Sequence, residues 1–438
     1  MKREMRNSGI DWIGEIPKKW EVVPFRSYAE MRREKNKGEK TRELLALSFA
    51  LGVTLYRDKV YNMDRVKENY EDYQIVHEND LVLSPNDIIK GSAYVSKYHG
   101  CISPMYLVFS ARDTQTRYLP YLSYLLRTRE AGRKFFYIAR GLIGDILDNG
   151  KYVTRRMSVS KQDLLSFKVL LPPITEQQRI VNFLDKKCAE IDEMILLQEK
   201  IIEELKAYKQ SIITEAVTKG LNPNVPMKDS GIEWIGEIPE HWEICKIKNG
   251  LTINPIQNHN LKADTEVSYM PMECLRNGVI EKRIALYGNL PSLTEFSEGD
   301  IVMAKVTPCF ENGNIAIASD LVNEVGFGTS EIFVFRCHKS TLPKFAFYYL
   351  QSPYIKSRGV SSMTGTGGLK RINPHFFCDS VLLLPSLTEQ EEIADYLDKK
   401  RYEIDDLITI KQSKIDSLKE YKKSIIYEYV TGKKEVTE

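Results

Sequence analysis

The 438 residues carry 62 Lys+Arg against 60 Asp+Glu, with 42% hydrophobic and 10% aromatic residues. Such a balance excludes a disordered or collagenous chain, and the length suits two to four domains, each with its own core. The charged start MKREMRNSG lacks a signal-peptide run, Leu44 to Leu55 is too short to span a bilayer, and seven cysteines without a CxxC argue against a disulfide frame or a zinc site. A cytoplasmic protein with free thiols is expected.

The first element is SGIDWIGEIPKKWEVV, Ser8 to Val23, which returns as SGIEWIGEIPEHWEIC, Ser230 to Cys245. Gly9, Gly14 and Pro17, and their counterparts Gly231, Gly236 and Pro239, predict a compact loop. The motif holds all four tryptophans, Trp12, Trp20, Trp234 and Trp242. They read as anchors that pin the loop to a core, with base stacking as the alternative.

A basic stretch follows. Residues 25–155 hold 22 Lys+Arg against 16 Asp+Glu. Glu78-Asn79-Asp80 predicts a turn into the strand Leu81-Val82-Leu83, and Tyr106-Leu107-Val108-Phe109 reads as another strand. Leu119-Pro120 then opens a helix carrying Tyr121, Leu122, Tyr124 and Leu125.

Residues 172–218 predict a long helix, expected over about 176–218. Thr175 and Gln178 suggest a capping box at its start. Leu184, Cys188, Ile191, Ile195, Ile202, Leu205, Ile212 and Ala216 recur at alternating three and four spacing, interrupted by Gln198 and Lys209. That period is a coiled-coil seam, and some 43 residues make a rod of roughly 64 Å.

The second half repeats this order with other letters. Residues 246–375 hold 14 Lys+Arg against 11 Asp+Glu. Glu298-Gly299-Asp300 leads into Ile301-Val302-Met303, Ile332-Phe333-Val334-Phe335 is strand-like, and Leu342-Pro343 opens an aromatic helix. Residues 385–431 align with 172–218 without a gap. A second capping box is expected at Thr388 and Glu391, and Leu397, Ile404, Ile408, Ile415, Leu418, Ile425 and Tyr429 form the second seam, broken by Arg401, Lys411 and Lys422. Each stripe needs a partner, and the partner expected for one copy is the other. Flanking apolar positions such as Ile180, Val181, Phe183, Leu196, Leu197 and Ile213 fit either a further protein in the bundle or packing on the neighbouring globule.

The expected architecture is therefore two α/β (α+β) globules linked by two long antiparallel coiled-coil helices, in an internal repeat. The expected boundaries are 1–171 and 221–384 for the globules, 172–220 and 385–438 for the helices. No catalytic pattern stands out: there is no GxxxxGK[ST], HExxH or GxSxG, and the six histidines show no ligand spacing. Gly365-Thr366-Gly367-Gly368 reads as a loop, not a phosphate cradle.

The two copies of the SGI-[DE]-WIGEIP motif, the helix starts LPPITEQQRIVNFLD and LPSLTEQEEIADYLD, and the globule–helix–globule–helix order resemble the specificity subunit of type I restriction-modification systems. The resemblance covers nearly the whole chain. It implies that each globule is a target recognition domain for one half of a bipartite DNA sequence. It implies that the helices act as spacer and dock two modification subunits, and that restriction subunits complete the complex. S-adenosylmethionine, ATP and magnesium are then expected on those partners and none on this chain, which has no catalytic centre or metal of its own. The competing readings are a coiled-coil scaffold without DNA readout and a single-chain DNA methyltransferase or nuclease.

Candidates for DNA contact are polar, lie in the divergent regions and avoid the apolar strands. In the first globule they are Arg32, Arg33, Lys35, Lys90, Ser92, Lys151, Tyr152 and Arg155. In the second they are Asn254, Gln257, Asn258, Lys305, Thr307, Asn312, Asn314, Thr366, Lys370 and Arg371. Candidates for partner docking are the helix positions Leu184, Ile191, Ile195, Ile202, Leu205, Ile212, Leu397, Ile404, Ile408, Ile415, Leu418 and Ile425.

Overall fold

The computed structural model describes residues 3–49, 51–59, 69–141, 157–256, 261–290, 293–365 and 370–437, and the backbone alone at 145–146 and 152–153. The chain divides into two compact units, Met1–Gln198 with Ser413–Glu438, and Glu199–Gln412. Each unit holds one globule and part of both long helices. Its limits therefore fall inside those helices and not at their ends.

In the first unit, strands β1 (Ala29–Met31), β2 (Leu81–Leu83), β3 (Ala93–Val95) and β4 (Leu107–Ala111) form an antiparallel sheet in the order β1-β4-β2-β3. All three residues of β2 are buried, which explains an apolar run without alternation. Helices α1 (Leu119–Leu126) and α2 (Arg129–Ile138) follow, and then α3 (Ile174–Lys219). The second unit repeats the pattern: β5 (Leu251–Ile253), β6 (Ile301–Ala304), β7 (Ile315–Ile317) and β8 (Ile332–Cys337) pair in the order β5-β8-β6-β7. Helices α4 (Pro343–Leu350), α5 (Pro353–Ser361) and α6 (Leu387–Val430) complete it. A second sheet is more continuous in the second globule, where Arg283–Leu286, Glu266–Met270, Val325–Gly328 and Thr294–Ser297 form four strands with a parallel middle pair. In the first globule the same order is two antiparallel hairpins, Gly52–Leu55 with Leu45–Ser48 and Gly100–Ile102 with Gln74–Val76, joined by the parallel bridge of Leu44 to Cys101.

The long helices begin one residue before the expected capping boxes, so Thr175/Gln178 and Thr388/Glu391 lie inside the helix and do not cap it. Ser386 caps α6 by accepting the Glu389 N–H at 3.3 Å. In α3 the Pro173 carbonyl accepts the Glu176 and Gln177 N–H groups. The acidic residue of each first turn serves another contact. Glu176 accepts the Trp20 indole N–H at 2.8 Å and Glu389 that of Trp242 at 3.0 Å. Both rings are fully buried. Arg3 pairs with Glu176, and His241 lies 2.9 Å from Glu389. A neutral His241 would donate to the carboxylate as well, so the contact needs no charge.

The next residue is a fully buried glutamine in both helices. Gln177 accepts from the Tyr28 hydroxyl and the Tyr118 N–H, and donates to the Thr116 and Pro172 carbonyls. Gln390 accepts the Leu342 N–H and donates to the Ser340 and Pro385 carbonyls. The end of the other helix closes each tryptophan from the far side. Gly432, at φ +70°, packs on Pro17 and Trp20, and a Cβ there would fall 2.5 Å from Pro17 Cδ. Gly220, at φ +75°, lies beside Trp242 in the second unit. Only glycine takes that backbone and that contact together at little cost. The tryptophans at the loop tips differ from these anchors: Trp12 stacks on Phe167, and Trp234 stacks on Tyr354 while remaining 37% exposed.

The two helices run antiparallel. In the first unit Phe183 faces Tyr429 and Asp192 faces Lys422. Two of the lysines that interrupt the seams, Lys209 and Lys422, are ion-paired across to the other helix. Lys422 Nζ reaches both Asp192 oxygens at 2.7 and 2.6 Å, and Lys209 Nζ reaches both Asp405 oxygens at 2.7 and 2.8 Å. Asp192 and Asp405 are equivalent in the repeat, as are Lys209 and Lys422, so one register device is written twice. A matching tyrosine ties each globule to its helix: Tyr124 donates to Asp185 and Tyr348 to Asp398, both at 2.6 Å. Among the described residues no helix is long and apolar enough to cross a membrane.

Gln177→Leu strands the Tyr118 N–H and two carbonyls in a buried site, and is expected to cost about 2–4 kcal/mol. Lys422→Met breaks a pair whose Asp192 side chain is 59% exposed and is expected to cost less than about 1 kcal/mol. Urea midpoints of the two variants check the contrast. Burial pushes the phenols of Tyr28, Tyr121, Tyr124, Tyr348 and Tyr349 above their ordinary value of 10.0. A raised folded pKa gives stability that is complete below the unfolded value and lost above it. Stability should therefore fall as pH rises past 10, with the share of tyrosinate absorbance that belongs to these five phenols appearing in step with loss of circular dichroism and not before it.

Candidate functional site

The strand registers bring the C-terminal ends of β5 and β6 and the N-terminal end of β8 to one end of the second sheet, and those of β1, β2 and β4 to the same end of the first. Most candidate contact residues collect there, because the loops that leave this end are polar while the strands are buried.

In the second globule four candidates converge. Segment 305–308 lies beside residues 370–372: the Thr307 N–H donates to the Lys370 carbonyl, Thr307 Oγ1 accepts the Lys370 N–H, and the Ile372 N–H donates to the Lys305 carbonyl, each at 3.0 Å. Arg371 forks onto Glu331 at 2.9 and 2.8 Å and holds that carboxyl below its ordinary range. Lys305, Thr307, Lys370 and Arg371 thus share one small surface, with Lys370 and Asn312 exposed. Two candidates are structural instead. Asn254 accepts the Val334 N–H at 3.1 Å and extends the sheet edge. Asn314 is buried, and its N–H donates to the Cys309 carbonyl. Gln257, Asn258 and Thr366 lie outside the described residues.

In the first globule Arg32 is also structural. Its guanidinium grips the buried Asp80 through Nε at 2.7 Å and a terminal nitrogen at 2.8 Å, so it is not available to a ligand. Ser92 is buried, and its N–H donates to the Asp87 carbonyl. Arg33 and Lys35 are exposed, Lys35 with Asp72 at 3.8 Å. Lys90 is exposed on the turn Ile88–Lys90, 3.9 Å from Asp87. Lys151 and Arg155 lie outside the described residues, and only the backbone of Tyr152 is described.

The sequence reading passed over α2. Its exposed face carries Arg133, Tyr137 and, just past its end, Arg140. The signal was present as cations interleaved with aromatics in Arg133-Lys134-Phe135-Phe136-Tyr137. Phe135 packs inward on Phe167, and Gly132 lets the helix close on the turn that carries Lys90: a Cβ would fall 2.4 Å from the Ile89 carbonyl oxygen.

On the long helices, Leu184, Ile191, Ile195, Ile202, Ile212, Leu397, Ile404, Ile415 and Ile425 are buried, while Leu205, Ile408 and Leu418 are half-buried. The buried nine are spent on packing within the chain and offer nothing to a partner. The exposed apolar residues lie on another face. The first unit shows Met194, Leu197 and Tyr421, and the second shows the repeat equivalents Leu407, Ile410 and Tyr208. Beside each patch an equivalent ion pair recurs, Lys187–Glu190 at 2.7 Å and Lys400–Glu403 at 2.8 Å. Among the described residues no group of His, Cys, Asp and Glu is placed to hold a metal ion.

Arg336 in the second globule grips the buried Asp300 as Arg32 grips Asp80. Arg32→Ala and Arg336→Ala each leave a buried carboxylate unpaired and are expected to cost about 3 kcal/mol. Lys370→Ala is expected to leave stability within about 0.5 kcal/mol. Thermal denaturation separates the structural from the presented cations.

Residues 239–401 match the family model described as a type I restriction modification DNA specificity domain. The chain is 32% identical over 213 residues to the EcoEI specificity subunit of Escherichia coli, covering 48% of this chain and 35% of that protein. It is 31% identical to the EcoAI specificity subunit of the same organism, covering 44% and 33%. Those two matches span about a third of each Escherichia coli subunit. A putative MjaX specificity subunit of Methanocaldococcus jannaschii is 28% identical over 96% of this chain and 95% of its own. The fold is shared with the HsdS subunit from Thermoanaerobacter tengcongensis, at a TM-score of 0.53 and 14% identity over 95% of this chain and 98% of that one. It is also shared with a chain of a type I R-M system, at a TM-score of 0.68, the same identity and the same coverage.

Proposed function

We propose that this chain is a specificity subunit of a type I restriction-modification system, as the match of residues 239–401 to the specificity domain and the likeness to the subunits above support, and that its two globules read the two unlike halves of a bipartite DNA target. One observation carries the reading: a single sheet order is kept in both globules while the groups at the same sheet end differ. The second globule presents Lys305, Thr307, Lys370 and Arg371 there, and the first presents Arg33, Lys90 and the α2 face. Lysine and arginine suit phosphates and guanine edges, and exposed Asn312 could pair with adenine.

The chemistry belongs to partners. Two modification subunits bring S-adenosylmethionine and methylate an adenine in each half-site. Restriction subunits add ATP and magnesium. The patch Met194–Leu197–Tyr421 and its repeat Leu407–Ile410–Tyr208 suit two copies of one partner, since a face of the same apolar character written twice fits identical subunits.

Exchanging residues 25–170 for those of another family member should change one half of the methylated target only, as read by sequencing methylated adenines in host DNA. A change in both halves, or in neither, would sink the modular reading. Leu197→Asp with Ile410→Asp should lower recovery of the modification subunit with this chain tenfold or more. Its melting temperature should stay the same, because both side chains are exposed.

A further inference from the structure

Tyr137 is the most exposed aromatic of the first globule among the described residues, at 80% of its full surface. A large ring left in water at this position has no packing role. Phe136 meets it edge-on, with centroids 6.0 Å apart and planes at 81°, so the ring has a neighbour to prop it. Arg133 lies one turn before it on the same helix face and Arg140 nearly one turn after it. Arg140 is held by a backbone bridge to Ser158, and its guanidinium lies 3.8 Å from Asp163. The Val159 N–H donates to the Pro85 carbonyl, which fixes this segment to the loop leaving β2. The ring and both cations therefore stand at the end of the sheet where Lys90 stands.

Among the described residues, the matching helix of the second globule presents no such ring. On α5, the counterpart of α2, Tyr354 is buried and stacked on Trp234, and the exposed positions include Lys356, Arg358 and Val360. The feature belongs to one half-reader alone, as a specificity determinant would.

We propose that Tyr137 stacks on a base of the first half-site whose stacking is interrupted, while Arg133 and Arg140 hold the flanking phosphates. The proposal rests on the DNA reading above and adds a residue and a mode of contact to it. Methyl transfer to an exocyclic amino group requires a base to leave the duplex stack, and that exposes π-faces for an aromatic to cover. Arginine beside the ring supplies phosphate attraction that depends on salt, whereas stacking does not.

The test uses the assembled methyltransferase complex and a duplex carrying its mapped target. Tyr137→Ala should weaken binding about tenfold, in line with the loss of one base–aromatic stack, with the slope of log K against log[salt] unchanged. Tyr137→Phe should bind as wild type. Arg133→Gln and Arg140→Gln should each make that slope shallower by about one. With 2-aminopurine in the first half-site, wild type should quench the probe and Tyr137→Ala should leave it bright, while the same probe in the second half-site responds equally to both. Four results would overturn the proposal: Tyr137→Ala binding within twofold of wild type, Tyr137→Phe failing like Tyr137→Ala, equal probe responses in the first half-site, or a loss of subunit assembly in place of DNA affinity. In each of these the wild-type complex still binds its target, so the function proposed above stands. Absence of sequence-dependent binding by wild type would remove both.

Discussion

The indole–carboxylate contact at each helix start is the constraint on which the rest of the fold depends. Trp20 and Trp242 are buried because a helix begins on one side of each ring and the glycine at the end of the other helix closes the opposite side. The glutamine that follows the carboxylate ties the same point to the loop before the aromatic helix of the globule. A globule fastened at this junction inherits the direction of both helices. Its strand ends then face a fixed way, whatever side chains they carry. Loss of one buried donor here would loosen the whole mount, whereas the loops at the sheet end can change without touching it.

This separation explains why one chain can hold repeated and divergent parts at once. The mount uses few groups, with the indole N–H and the glutamine amide of each copy hydrogen-bonded in a buried site, and so tolerates little change. The surface at the sheet end is made of loops whose backbone is satisfied by neighbouring loops, as segment 305–308 is by residues 370–372. Side chains on such loops are open to substitution. The patches on the helices behave like the mount: Met194, Leu197 and Tyr421 have counterparts of the same character in Leu407, Ile410 and Tyr208. A surface that repeats in kind is suited to the same partner twice, and a surface that differs is suited to two different pieces of DNA.

Much of this was legible in the letters, for identifiable reasons. Seam periodicity located both helices to within two residues, and the matched tryptophans marked the anchors. The capping boxes misled, because threonine one residue inside a helix imitates a cap when the true cap is Ser386 or a proline carbonyl. The second sheet went unseen, since strands such as Val325–Gly328 are four residues long, buried throughout and half glycine. Among the candidate contact residues, Lys305, Thr307, Lys370 and Arg371 were named from the letters, but their meeting depends on a contact across more than 60 residues that no local pattern reveals. Arg32 was misread because an arginine beside a strand looks the same whether it faces solvent or a buried aspartate.

That aspartate has a wider consequence. Asp80 and Asp300 occupy the same turn before β2 and β6, each also accepting a backbone N–H three residues earlier, from His77 and Ser297. The guanidinium that neutralises them comes from different strands: from Arg32 just after β1 in one globule and from Arg336 within β8 in the other. By register, the position of Arg32 is that of Asn254 in the second globule. The counter-ion is therefore interchangeable between adjacent strands. Moving it to the neighbour releases a position at the ligand-facing end of the sheet from electrostatic duty, so the fold carries a built-in means of widening its recognition alphabet without disturbing its interior.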